Sequence, residues 1–116
     1  MAKFQEINSL QEWNEVYEQS LGQKTVIFKH STKCPVSARA WSEVQDFIRD
    51  DSQDVLVAMV KVIESRPVSN QIAKDLEVEH QSPQAIVLSE KKVLWHASHG
   101  TITKQRIKDG LNAAKL

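Results

Sequence analysis

Thr25-Val26-Ile27-Phe28-Lys29-His30-Ser31-Thr32-Lys33-Cys34-Pro35-Val36-Ser37 is the most informative stretch of this chain. It opens on a short, mostly β-branched apolar run, Thr25 to Phe28, which reads as a strand buried on both faces. Near its end stands Pro35, which suits the first turn of a helix because that position has no intrahelical N–H bond to lose. Val36, Ala40, Val44, Phe47 and Ile48 then run along one helical stripe. Cys34 falls where the strand has ended and the helix begins.

Working outward, Val55 to Val60 is the most apolar run of the sequence and follows the polar turn Asp50 to Asp54. Strand, helix and strand in that order predict a right-handed parallel crossover. Upstream, Ser9-Leu10-Gln11-Glu12 has the Ser-x-x-Glu form of a capping box, and Leu10, Trp13 and Tyr17 share a face. A first helix is expected from about Ser9 to Ser20, closed by Gly22. Downstream, Val68, Ile72 and Leu76 predict a helix over Pro67 to Leu76. Ala85 to Leu88 and Val93 to Trp95 predict two strands joined by the solvent-exposed link Ser89 to Lys92. Gly100-Thr101 then starts a last helix, Thr101 to Leu116, with Ile107, Leu111 and Ala114 on its inner face. Trp41 and Trp95 are expected in core or half-buried positions. The element order implies an α/β, thioredoxin-like fold: a central four-stranded mixed sheet flanked by helices, in a single domain over 1–116.

The composition narrows the function. With 15 Lys or Arg against 15 Asp or Glu, the formal charge of the 116 residues is zero, which gives no long-range field for nucleic acid or an anionic membrane. No stretch reads as an export signal or a membrane span, so a cytoplasmic protein is expected. Cys34 is the only cysteine. In a reducing compartment it stays a thiol, and any disulfide must be made with another molecule.

The site around Cys34 is built for thiol chemistry. At a helix start the amide N–H groups of Val36 and Ser37 lack intrahelical partners, and the helix dipole is positive, so a thiolate is favoured over a thiol. Lys33 adds a full charge next door, and the Ser37 hydroxyl is placed to donate a hydrogen bond. His30 is expected to tune the cysteine or cap the strand. The Ser82-Pro83 pair precedes the strand Ala85 to Leu88, and His80 is expected to line the same groove. By itself the X-Pro bond reads as an ordinary loop peptide.

His30-Ser31-Thr32-Lys33-Cys34-Pro35-Val36-Ser37, with Ser82-Pro83 downstream, resembles the YtxJ-type monothiol bacilliredoxins, small thioredoxin-like proteins of bacillithiol-using bacteria. The resemblance covers essentially the whole chain. It implies that Cys34 removes bacillithiol from protein mixed disulfides, with bacillithiol as cosubstrate and no tightly bound cofactor. The partners implied are bacillithiolated proteins, together with free bacillithiol or a partner redoxin as resolving thiol. It also implies a cis-proline at Pro83, packed against the cysteine, and a thiol-binding role for Ser82, to which Thr32 and Thr101 are added as neighbours. Ser37 stands where dithiol relatives carry a resolving cysteine, so no internal disulfide can form. The malyl carboxylates of bacillithiol call for positive groups; Lys33, Lys29, Arg66 and the amides of Thr101 to Thr103 are the candidates.

Other chemistries fit less well. His30 with Cys34, and His96 with His99, lack a fourth ligand at fixed spacing, so no metal is expected. A phosphatase-type Cys-x5-Arg loop needs Arg at position 40, which is Ala40; Arg39 is one residue short. A peroxidatic Thr-x-x-Cys is absent because Thr32 lies two residues before Cys34. The alternative of another class is a noncatalytic thioredoxin-like binding module, for which an exposed, activated Cys34 is unnecessary.

Overall fold

The structure, a computed structural model, describes residues 2–50 and 54–112. The middle of the turn after residue 50 and the helical position Ala114 lie outside the described residues. The elements are β1 (Lys3–Glu6), α1 (Leu10–Gln19), β2 (Thr25–His30), α2 (Pro35–Asp50), β3 (Leu56–Lys61), α3 (Arg66–Leu76), β4 (Gln84–Ser89), β5 (Lys92–Ser98), a 3-10 turn at His99–Thr101 and α4 (Lys104–Asn112).

The sheet has five strands in the order β1-β3-β2-β4-β5, so the expectation of four is corrected by one. β1 runs parallel to β3 at the edge, with Phe4 opposite Val57. Lys3-Phe4-Gln5-Glu6 holds one apolar residue in four and carries no strand signal; the pairing with β3 makes it a strand, and strand preference depends on context in just this way. β2 pairs parallel with β3 and antiparallel with β4, and β5 closes the other edge antiparallel to β4.

Alternation along the strands sorts the core into two layers. Val26, Phe28, Val57, Met59, Ala85 and Val87 face α2 and α4, meeting Val44, Phe47, Ile107 and Leu111. Ile27, Ala58, Val60, Ile86 and Leu88 face α1 and α3, meeting Trp13, Val16, Val68 and Ile72. Trp41 and Trp95 pack half-buried against the first layer, as expected.

Ser9 caps α1 by accepting from the Glu12 N–H at 3.1 Å, while the Glu12 carboxylate reaches back to the Asn8 N–H at 2.8 Å. Gly22 is not the left-handed cap expected: no glycine has positive φ, and α1 ends in tight turns through the bonds Leu21 N to Glu18 O and Gly22 N to Gln19 O. The β4–β5 loop is the two-residue turn Glu90-Lys91, both residues at positive φ, as a hairpin of matching twist requires. α4 starts at Lys104, not Thr101, because Gly100 and Thr101 belong to the 3-10 turn and Thr103 supplies the cap, accepting from Arg106 N at 3.1 Å.

Candidate active site

Sheet register gathers the site. In the β2–β4 pair Lys29 faces Gln84, in the β2–β3 pair His30 faces Lys61, and in the β4–β5 pair Gln84 faces Ser98. The segments leaving these positions therefore meet at one end of the sheet: the Cys34 loop after β2, the loop into α3 after β3, Ser82-Pro83 before β4, and the 3-10 turn after β5. A hydrogen bond from His99 N to Pro83 O, 3.0 Å, joins the last two. The Ser82-Pro83 peptide is cis. Pro83 is buried, and the Ser82 hydroxyl is buried without a hydrogen-bond partner among the described residues.

Cys34 is a free, half-buried thiol. Its carbonyl accepts from Ala38 N at 3.0 Å, the first bond of α2, and its own N–H closes a turn on Ser31 O at 3.3 Å. It is thus the N-cap of α2, with Pro35 as the first helical residue. Lys33, Thr32 and Val36 are exposed beside it. Thr32 is tied sideways, its hydroxyl 3.2 Å from Glu64 Oε2 in the loop entering α3.

Ser37 differs from its expected role. It is completely buried, and its Oγ accepts from Ser31 N at 2.9 Å and lies 2.8 Å from His30 Nδ1. The hydroxyl braces the loop that carries Cys34 and is not turned to the thiol. With a neutral ring protonated on Nε2, Ser37 donates its hydrogen to His30 Nδ1, and both groups are satisfied. Burial holds His30 below its ordinary value; Lys61 pushes the same way and Glu64 opposes. The ring stacks on Phe28 at 5.5 Å and lies 5.9 Å from Trp41, so it belongs to the α2 face of the sheet.

The four candidate anion holders part company. Lys33 and Arg66 are exposed. Lys29 has no exposed surface: one strand position after Ile27's neighbour Phe28, its side chain enters the α3 layer, where Nζ donates to Ser69 O at 3.1 Å and lies 3.2 Å from His80 Nδ1. Burial lowers its pKa to about 8. It cannot reach a ligand in solvent. His80 is held down by burial, then by Lys29 and Arg66, so at neutral pH it accepts from the Lys29 amine rather than lining an open groove. Thr101 to Thr103 precede α4 and do not open it: the Ile102 N–H is spent on His99 O at 3.3 Å, and the amides at the true helix start are committed, Lys104 N to Glu43 Oε1 at 2.9 Å and Arg106 N to the Thr103 hydroxyl at 3.1 Å. Thr101 is exposed, and its hydroxyl donates to Ser98 O at 2.6 Å. His96 is exposed on β5, and no group of three or more His, Cys, Asp or Glu is placed to hold a metal among the described residues.

Glu43, Glu64 and Ser69 are structural partners of the site that no sequence motif marks. Each acts through a contact distant in the chain, which no spacing encodes.

A thiol at the N-cap of the helix after the central strand, with a cis-proline before the next antiparallel strand, defines a thioredoxin-fold redox protein. The chain belongs to the monothiol bacilliredoxin BrxC family, whose model matches residues 5–107. A solved structure described as having a thioredoxin fold is similar at a TM-score of 0.84 and 27% identity, with 93% of each chain covered. Mitochondrial thioredoxin 3 from Saccharomyces cerevisiae is similar at 0.71 and 19% identity, covering 97% of this chain and 95% of that one. Fasciola hepatica thioredoxin is similar at 0.74 and 11% identity, covering 93% and 96%. At these last identities the likeness speaks to the fold alone.

Proposed function

We propose that this protein is a monothiol thiol-disulfide oxidoreductase that removes bacillithiol from protein mixed disulfides through Cys34. The observation that carries the reading is the half-buried Cys34 at the N-cap of α2, the chain's only thiol, with a buried serine at position 37 where a resolving cysteine would stand. Family membership supports bacillithiol as the small thiol.

In the first step the Cys34 thiolate attacks the bacillithiol sulfur of the mixed disulfide. The substrate S–S bond breaks, the target cysteine leaves as thiolate and takes up a proton, and a Cys34–bacillithiol disulfide forms with no net change in electrons. A second thiol, free bacillithiol or a partner redoxin, then attacks this adduct and returns Cys34. The start of α2 and the exposed Lys33 flank Cys34 through both steps. Ser82 and Pro83 supply the wall against which the incoming disulfide lies, with the unpaired Ser82 hydroxyl available to it. The expected setting is cytoplasmic; among the described residues no helix is long and apolar enough to cross a membrane.

Intact-mass spectrometry of wild type and Cys34→Ala, each incubated with a bacillithiolated protein, tests the reading. Wild type is expected to gain one bacillithiol as the substrate loses it, and Cys34→Ala to do neither. Equal release by both proteins, or no adduct on wild type, returns the chain to a noncatalytic binding module.

A further inference from the structure

Between the first two turns of α2 and the 3-10 turn lies a cleft of about 200 Å³. Val36, Arg39 and Ala40 form one side, His99 and Thr103 the other, and Glu43 closes the far end. Its mouth continues past Gly100 to Pro35, the residue after the thiol. The floor is apolar, since Ala40 and Ile102 are buried.

The charged groups of this cleft are unequal. Glu43 is already used, its carboxylate accepting the Lys104 N–H at the start of α4. Arg39 is exposed and makes no hydrogen bond or ion pair with the described residues. His99 is fixed across from it by its N–H bond to Pro83 O and by a left-handed backbone, φ 56°, which few non-glycine residues adopt. A Cβ placed on Gly100 would meet nothing within 4 Å, so the space there is open. Five residues of helix put Arg39 about 7.5 Å along the axis from Cys34. A guanidinium with no partner among the described residues, lining the same opening as Pro35, is matched to a carboxylate carried by the thiol's own disulfide partner.

The geometry points to this cleft as the seat of the carboxylate end of the small thiol bonded to Cys34, with Arg39 as the residue that selects for it. The inference rests on the exchange reading above and adds to it the source of small-thiol preference. It displaces Lys29, which is spent on internal contacts, from that role. The cleft is too small for a folded partner or an extended peptide, which favours a small-molecule occupant.

The test uses one substrate protein modified in two ways, with bacillithiol and with the same thiol lacking its malyl group, and compares kcat/KM for the two. Wild type is expected to favour the malyl-bearing form by about tenfold, the worth of one charge-assisted bond. In Arg39→Ala the ratio falls to near one, in Arg39→Glu below one, and Arg39→Lys recovers part of it. Arg49→Ala, at the far end of α2, keeps the wild-type ratio. A wild-type ratio of one, or an unchanged ratio in Arg39→Ala, overturns the inference and leaves the exchange reading standing. Failure of wild type to form any bacillithiol adduct overturns both.

Discussion

Ser37 sits at 0% exposure with its oxygen shared between the Ser31 N–H and the His30 ring. Replacing it with alanine leaves a partly buried donor and a buried ring nitrogen unpaired, which costs about 1–3 kcal/mol. Urea unfolding of Ser37→Ala should show a loss of that size, and a change below a few tenths would mean that water replaces the hydroxyl at no cost. The same geometry explains why serine at 37 is more than an absent cysteine: it holds the Ser31 end of the loop whose other end is Cys34. From the sequence, position 37 could be read as one turn of helix from the thiol. That its side chain turns inward followed only from the packing of α2 against Phe28 and Val44's layer.

Helices and central strands follow local rules, and their edges follow neighbours. β2 runs past the stretch Thr25 to Phe28 through Lys29, which is paired on both sides, and His30, which is paired with Lys61 of β3, because a strand continues as long as a partner does. The start of α4 moved by three residues for a similar reason: Thr103 and Glu43 together satisfy its first amides. Gly110 marks the closest approach of α4 to the sheet. A Cβ there would lie 2.7 Å from the Trp95 ring. Ala is the better helix former by about 1 kcal/mol, but overpacking of a fixed aromatic costs about 1–3 kcal/mol. Gly110→Ala should therefore lower the thermal midpoint, and pairing it with Trp95→Leu should recover most of the loss. An unchanged midpoint in the single variant would show that Trp95 shifts freely.

Across the whole molecule, the buried amine of Lys29 couples the two halves of the site's support, reaching from β2 to Ser69 of α3 and to His80 in the segment before Ser82-Pro83. Its pKa is lowered from 10.5 to about 8, so above pH 8 the folded protein loses the proton while the unfolded chain still holds it. The unfolded state then binds more protons, and stability contributed by this group rises with pH between about 8 and 10.5. Below pH 8 both states are protonated and the cost of burying the charge is fully felt. The unfolding free energy of wild type, minus that of Lys29→Met, should climb by about 1–3 kcal/mol across that window. A flat difference would place the amine in contact with solvent.

Periodicity fixed the identity of the four helices, the central strands and the position of the thiol at a strand-to-helix junction, since each rests on residues within a few positions of one another. The count of one cysteine excluded a disulfide within this sequence. Tertiary structure alone decided the fifth strand, the inward turn of Ser37, the burial of Lys29 and the cleft that pairs Arg39 with His99. Each of these joins residues far apart in the chain, and pairing between distant segments leaves no local pattern from which it can be read. The cis Ser82-Pro83 peptide lies between the two: the family resemblance implies it, while the local sequence by itself is that of any loop proline.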